Sequence, residues 1–219
     1  MQTYRQFLQE NFAGLKLKIP LFYNWKYGLR FDLQDEYQST DDDKYFAEVV
    51  RRAAEIFETA FNASDRLFFV FKDCRNYREK IRFANYAFRQ INKLTKNEIY
   101  YTRENNLYNP PSVHNVAIIN LTADRINHKN ILTAIGNTDF LSRQPRLDNK
   151  GASTGKHIFF VNINKRLIFN MYDDRGLDVI ATDKETLRPI YEKYNDWILD
   201  YDREQIDKQF EDNNERHRN

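Results

Sequence analysis

Asp173, Asp174, Arg175 and Asp178 place three carboxylates and a guanidinium within six residues. Acids at that spacing can work as an acid and base pair in a hydrolase or nuclease, or share a divalent cation, while the arginine orients an anion. Asp and Gly are also what a tight turn demands, and Gly176 stands inside the run, so a turn with a local Asp and Arg hydrogen bond is the simpler reading. Asp200-Tyr201-Asp202 could hold a metal between two carboxylates, but it falls between two helical patterns, where capping explains it. Gly151-Ala-Ser-Thr-Gly155-Lys156 imitates a phosphate loop. It fails on three counts: three residues separate the glycines instead of four, His157 replaces the magnesium-binding Ser or Thr, and no strand precedes it. His114, His128, His157 and His217 show no short ligand spacing, and there is no G-x-S-x-G elbow. A site assembled from residues distant in sequence stays open.

Two groups suit binding instead of catalysis. Arg78, Arg82, Arg89 and Lys93, with Arg75 and Lys96 near the ends, would share one face of a helix over 77–94. As phosphate contacts they would give nucleic-acid affinity that falls with salt, although such faces are more often only solvated. Tyr23, Trp25 and Tyr27 beside Lys26 and Arg30 make an aromatic and basic cluster typical of binding surfaces. They serve equally well as core filler.

These residues must be positioned by the elements that periodicity predicts. Apolar residues at helical spacing predict helices over 4–12, from Phe46 to Phe61 behind the acidic run Asp41-Asp42-Asp43, over 77–94, and over 126–135. Alternation predicts a strand at 27–33, and the continuous run 67–71 a strand covered on both faces. Further strands are expected at 99–102 and 116–121, a loop at 105–112 with Pro110-Pro111, and a mobile loop at 137–156. Runs 157–163, 166–172 and 177–181, separated by Asn164-Lys165 and by Asp173 to Gly176, predict a three-strand antiparallel meander, with Gly176 taking positive φ. Thr182 and Glu185 suggest a capping box, Pro189 the start of the main helix after it, and Asp202 the cap of a last helix. The fold class is therefore α+β, a mixed, mainly antiparallel sheet packed by about four to six helices. One domain over 1–219 is expected, with a disordered tail from 211.

Composition narrows the function classes. The 34 Lys and Arg against 32 Asp and Glu leave no global field to steer the chain to nucleic acid or an anionic membrane. The single Cys74 excludes an internal disulfide framework and a thiolate zinc site, and fits a reducing compartment. No leader-like apolar segment opens the chain and no window approaches the roughly 20 apolar residues of a membrane span, so a cytoplasmic location is expected. The 17 Phe and 14 Tyr make the core largely aromatic.

Asn170-Met-Tyr-Asp-Asp-Arg-Gly-Leu-Asp-Val-Ile-Ala181, followed by Ile190-Tyr191-x-Lys193-Tyr194-x-x-Trp197-Ile-Leu-Asp-Tyr-Asp-Arg203, resembles the C-terminal signature of a bacterial family, domain of unknown function 3885. Asn24-Trp25-x-Tyr27-Gly28-Leu29-Arg30-Phe31 resembles its N-terminal signature. The resemblance implies a small stand-alone cytosolic protein of low-GC bacteria, some members lying beside toxin genes, and brings no activity with it. The leading expectation is a non-enzymatic protein-binding protein, such as an immunity-type toxin inhibitor, without cofactor, metal or membrane association. Its formal charge of +2 calls for an acidic or neutral partner. Two alternatives stand beside it: a hydrolase or nuclease using Asp173, Asp174 and Asp178, and nucleic-acid binding through residues 75–96.

Overall fold

The computed structural model describes residues 3–35, 37–74, 80–105, 113–148 and 155–211. Among them are strands β1 (Gly28–Asp32), β2 (Arg66–Asp73), β3 (Ile99–Asn105), β4 (Val113–Thr122), β5 (Lys156–Asn162), β6 (Leu167–Met171) and β7 (Gly176–Ala181). The helices are α1 (Tyr4–Phe12), α2 (Asp43–Ala60), α3 (Tyr86–Arg89), α4 (His128–Gly136), α5 (Lys184–Lys193) and α6 (Asp200–Phe210). The strands form one sheet in the order β1-β7-β6-β5-β2-β4-β3, every described pair antiparallel. This is the expected α+β architecture, with the C-terminal meander β5-β6-β7.

Strand side chains alternate between faces, so β2 feeds two cores. Leu67, Phe69 and Phe71 meet Phe57, Phe160 and Phe169 under α2 to α6. Phe68 and Val70 meet Phe159, Val161, Ile168 and Ile180 under α1 and the chain that follows it. Asp42 caps α2 by accepting from the Lys44 amide at 2.9 Å, which places the acidic run at the positive end of the helix.

Several local expectations give way to tertiary contacts. The helix expected over 77–94 shrinks to α3. Asn85 caps it, and the chain then turns to pair with residues 125–127: Ile91 bridges Ile126, and the Asn127 amide donates to the Gln90 carbonyl at 2.8 Å. Lys93 follows in the left-handed region, so pairing with a neighbouring segment overrides the helical period. The stretch 137–148, expected to be mobile, is packed: Arg146 is buried and donates to the Thr138 carbonyl at 2.5 Å, and Asn137 donates to the Pro145 carbonyl at 3.0 Å. The β5–β6 turn occupies residues 163–166, with Arg166 left-handed. Gly176 is demanded by close approach instead of positive φ, because a Cβ there would lie 2.7 Å from the Phe31 carbonyl oxygen.

Corrections continue at the C-terminal end. The cap of α5 is Asp183, accepting from the Thr186 amide at 2.9 Å, in place of the Thr182 and Glu185 box. The helix runs through Pro189 because burial of Leu187 and Ile190 holds its two halves in line. The expected tail from 211 lies outside the described residues beyond Glu211 itself, as do Arg75, Arg78 and most of the Pro110-Pro111 loop.

Asp202 is not the cap of α6. It sits one residue pair inside the helix, buried, and accepts from the Tyr23 hydroxyl at 2.8 Å and from the Arg30 guanidinium at 3.3 Å. This ties α6 against β1, where Ile198 bridges Phe31 and the Leu199 amide donates to the Arg30 carbonyl at 2.9 Å. Asp202→Ala is expected to destabilise the fold by ~1–2 kcal/mol, since it removes a buried acceptor shared by the partly buried Arg30 guanidinium and the half-exposed Tyr23 hydroxyl. Asp200→Ala, whose side chain is 93% exposed, should stay within ~0.5 kcal/mol. Urea denaturation of the two variants checks this, and equal losses would restore the capping role.

Candidate functional site

Histidines and a cysteine that look isolated in sequence converge at one end of the sheet. Strand register sets Lys72 opposite His157 and Val116, and Asp73 opposite Asn115, so Cys74, one residue further along β2, comes alongside His114. Glu104 on β3 pairs with His114 across the strands. Alternation sends Lys72, Cys74, His114, His157 and Glu104 to the face that carries α1. There they wall a cavity of about 720 Å³, roofed by Tyr4, Leu8 and residues 14–19.

The site is polar at its floor and apolar at its sides. Lys72 is buried, yet its Nζ donates to the Leu17 carbonyl at 2.8 Å and to Glu104 at 2.5 Å, which satisfies the burial of its charge. Cys74 Sγ lies 3.3 Å from His114 Nδ1. Burial, more than any charge, pushes the Cys74 thiol up to about 12, and burial followed by the Lys72 ammonium holds His114 below its ordinary range. Burial and Lys72 bring His157 down to about 4. Thiol and imidazoles are thus neutral at pH 7. The thiol is not set up as a nucleophile, which requires the thiolate, and the neutral groups act as hydrogen-bonding wall.

The three acids of the 173–178 tip do not assemble into one site. Asp173 accepts from the Arg175 amide at 2.8 Å and from its guanidinium, the local turn bond expected from sequence. Asp174 points to α2 and accepts from the Tyr45 hydroxyl at 2.6 Å. Asp178 leaves on the opposite face of β7, fully buried, accepting from the Phe22 amide at 3.0 Å with Arg30 Nε at 3.5 Å. Asp139, Asp173 and Asp174 do bring one ligating oxygen each within 4.8 Å of one another. Arg175 already contacts both Asp173 and Asp139 there, so a guanidinium supplies the positive charge that a cation would bring.

The expected binding residues are mostly consumed by structure. Trp25 packs on Phe12 and donates from Nε1 to the Ala181 carbonyl at 2.6 Å. Tyr27 packs against the core beside Lys26, and Arg30 is locked between Asp178 and Asp202. Arg82, ahead of α3, and Arg89, at its end, do come together without the long helix expected, on the wall of a second cavity with Lys80, Arg146, Lys156, Asp73 and Asp148. Lys93 is not part of it. Lys156 pairs with Asp73 at 2.6 Å and opens a strand, not a helix, which removes the phosphate-loop resemblance. The convergence of Cys74, His114 and His157 was missing from the sequence reading, because its only sequence trace is polar residues at alternate positions near strand ends.

Fold and site together define an α+β protein with a seven-stranded antiparallel sheet, covered on both faces, that carries a lined cavity at one end. The family model described as "Domain of unknown function (DUF3885)" matches residues 4–202, and the chain belongs to that family. It is 30% identical over 223 residues to "Uncharacterized protein YnaE" of Bacillus subtilis (strain 168), covering 89% of this chain and 96% of that protein. No solved structure matches it. Among the described residues no helix is long and apolar enough to cross a membrane.

Asp178 carries a pH signature. Burial pushes its carboxyl up to about 6 from an ordinary 3.8, against the opposing pull of the Phe22 amide and Arg30. The folded protein therefore holds the proton more tightly than the unfolded chain. Its contribution is fully present below pH 3.8 and is lost as pH rises through about 6. The span corresponds to about 3 kcal/mol at most. The stability difference between Asp178→Asn and the parent, followed by urea denaturation from pH 4 to 7, should change in the variant's favour over that window. A pH-independent difference would show that burial does not raise the Asp178 carboxyl.

Proposed function

We propose that the protein is a non-enzymatic binding protein that recruits another protein by adding one of the partner's extended segments to the edge of β3. The observation that carries this reading is the asymmetry of the two sheet edges. β1 is closed by Ile198, Leu199 and by the Gln209 side chain, which accepts from the Gly28 amide at 3.1 Å. β3 pairs with β4 on one side, and past its first residue, Ile99, whose amide donates to the Lys96 carbonyl, no backbone hydrogen bond among the described residues reaches its other side. An open row of amides and carbonyls is a template for another strand, which proteins ordinarily cover or blunt.

The side chains on β3 support the same reading. Tyr100 and Tyr101 are 61% and 47% exposed and point to opposite faces of the strand, where both could flank an incoming segment. Tyrosine supplies large contact area at small entropic cost. The nearby Arg5, Lys96 and Arg103 favour an acidic or neutral segment, as the overall charge does. An immunity-type role would use this same edge. The hydrolase reading is weakened because each tip acid is committed to a structural partner.

Affinity capture from the native host with the parent chain and with Tyr100→Asp/Tyr101→Asp tests the proposal. The parent should retain a partner that the variant loses at least about tenfold, and amide exchange of β3 should slow in the recovered complex. A partner held equally by both chains, with β3 exchange unchanged, defeats the reading.

A further inference from the structure

The cavity beneath α1 has a charge balance unlike that of the chain. The chain as a whole is formally +2, with acids and bases nearly matched. On the cavity wall Arg5, Lys16, Lys18 and Lys72 stand with a single carboxylate, Glu104, which is taken by Lys72, while the Arg103 guanidinium leaves by the opposite face of β3 to Asn115. Tyr4, Leu8, Leu15, Leu17, Ile19 and Phe159 give the wall its apolar part, and Cys74, His114 and His157 add polar groups without formal charge. Its volume of about 720 Å³ falls within the range of small-molecule sites. Lys72, buried at the floor, uses two of its three donors on Leu17 and Glu104.

We propose that this cavity binds a small organic anion, a carboxylate or phosphate carried on an apolar or aromatic body. The cationic groups and the remaining Lys72 donor take the anionic end, while Tyr4, Leu8 and Phe159 bury the body. Neutral Cys74, His114 and His157 add hydrogen-bonding groups without adding charge. A cluster of one sign against low-dielectric walls focuses its field, which raises the local concentration of an oppositely charged solute. The anion contacts Lys16, Lys18 and Lys72 all lie outside the β3 edge.

Cys74 is the sole cysteine and lies on the wall, so it reports on the cavity. Alkylation by anionic iodoacetate and neutral iodoacetamide is followed by intact mass for the folded protein and for the urea-unfolded chain. The iodoacetate to iodoacetamide rate ratio should be at least about fivefold higher in the folded protein at low salt, fall with added salt, and drop severalfold in Lys16→Gln/Lys18→Gln. Phenyl phosphate should protect Cys74 at lower concentration than inorganic phosphate or phenol. Should the folded thiol not react, phenyl phosphate must instead shift the ¹H–¹⁵N signals of amides on β3, β4 and residues 14–19. A ratio equal to that of the unfolded chain, equal protection by phenol or by phosphate alone, or unmoved amide signals overturns the proposal.

Discussion

A carboxylate with no solvent contact has to be compensated where it stands, and Asp178 is such a group at the centre of β7. The compensation comes from Arg30 on β1 and from the amide of Phe22, in the turn that crosses the second face of the sheet. Arg30 is in turn shared with Asp202 on α6 and with the Tyr23 hydroxyl. One buried ion network therefore pins two strands, the chain after α1 and the last helix. Removing Arg30 leaves Asp178 and Asp202 buried without their cation, which is where such networks are most costly. It also fixes which edge of the sheet is closed: with α6 held on β1, the outer edge of β3 is the one left open among the described strands.

The same arrangement explains why a cavity exists where it does. The first face of the sheet is covered by five helices, α2 to α6, and its aromatic core is continuous from Phe57 to Phe160 and Phe169. The second face has only α1, which at nine residues is ~14 Å long, set against a sheet that is about 29 Å across seven strands. An irregular chain from Leu15 to Trp25 must cover the rest. Phe12, Leu17 and Leu21 close the middle of that face. Towards the ends of β2, β4 and β5 the apolar residues give out, and Lys72, Cys74, His114 and His157 take their place. Polar residues there keep a hollow from being filled by collapse of the aromatic core.

Much of this was legible from the sequence because it is local. Alternation in 28–32, the continuous run 67–71 and the meander of 156–181 each record which side of a strand is buried, and the structure keeps them. The Asp173 and Arg175 turn bond was legible for the same reason. What failed depends on partners far along the chain. The period of 77–94 fits a helix, but residues 125–127 capture Gln90 and Ile91 first. Asp202 has the position of a cap, yet Tyr23 and Arg30, distant in sequence, take its oxygens. The cavity was illegible because Cys74, His114 and His157 meet through strand register, and register between β2, β4 and β5 cannot be read from any one of them.

β3 is the strand least committed to the interior, and that is why it can serve both proposals. Of its seven residues only Ile99 is buried, so the strand owes the core a single side chain and is held by backbone pairing to β4 and by Arg5 on Thr102 at 3.3 Å. Its remaining side chains face outward or the cavity, with Glu104 held by Lys72 and Arg103 by Asn115. Tyr100 and Tyr101 stand at the open edge, while Arg103, Glu104 and Asn105 form part of the cavity wall. β2, buried from Leu67 to Asp73 and paired on both sides, offers no open edge and gives the cavity only Lys72 and, just past its end, Cys74. The end of the sheet furthest from the Asp178 network is thus the end with surface to spare, and both candidate binding features lie there.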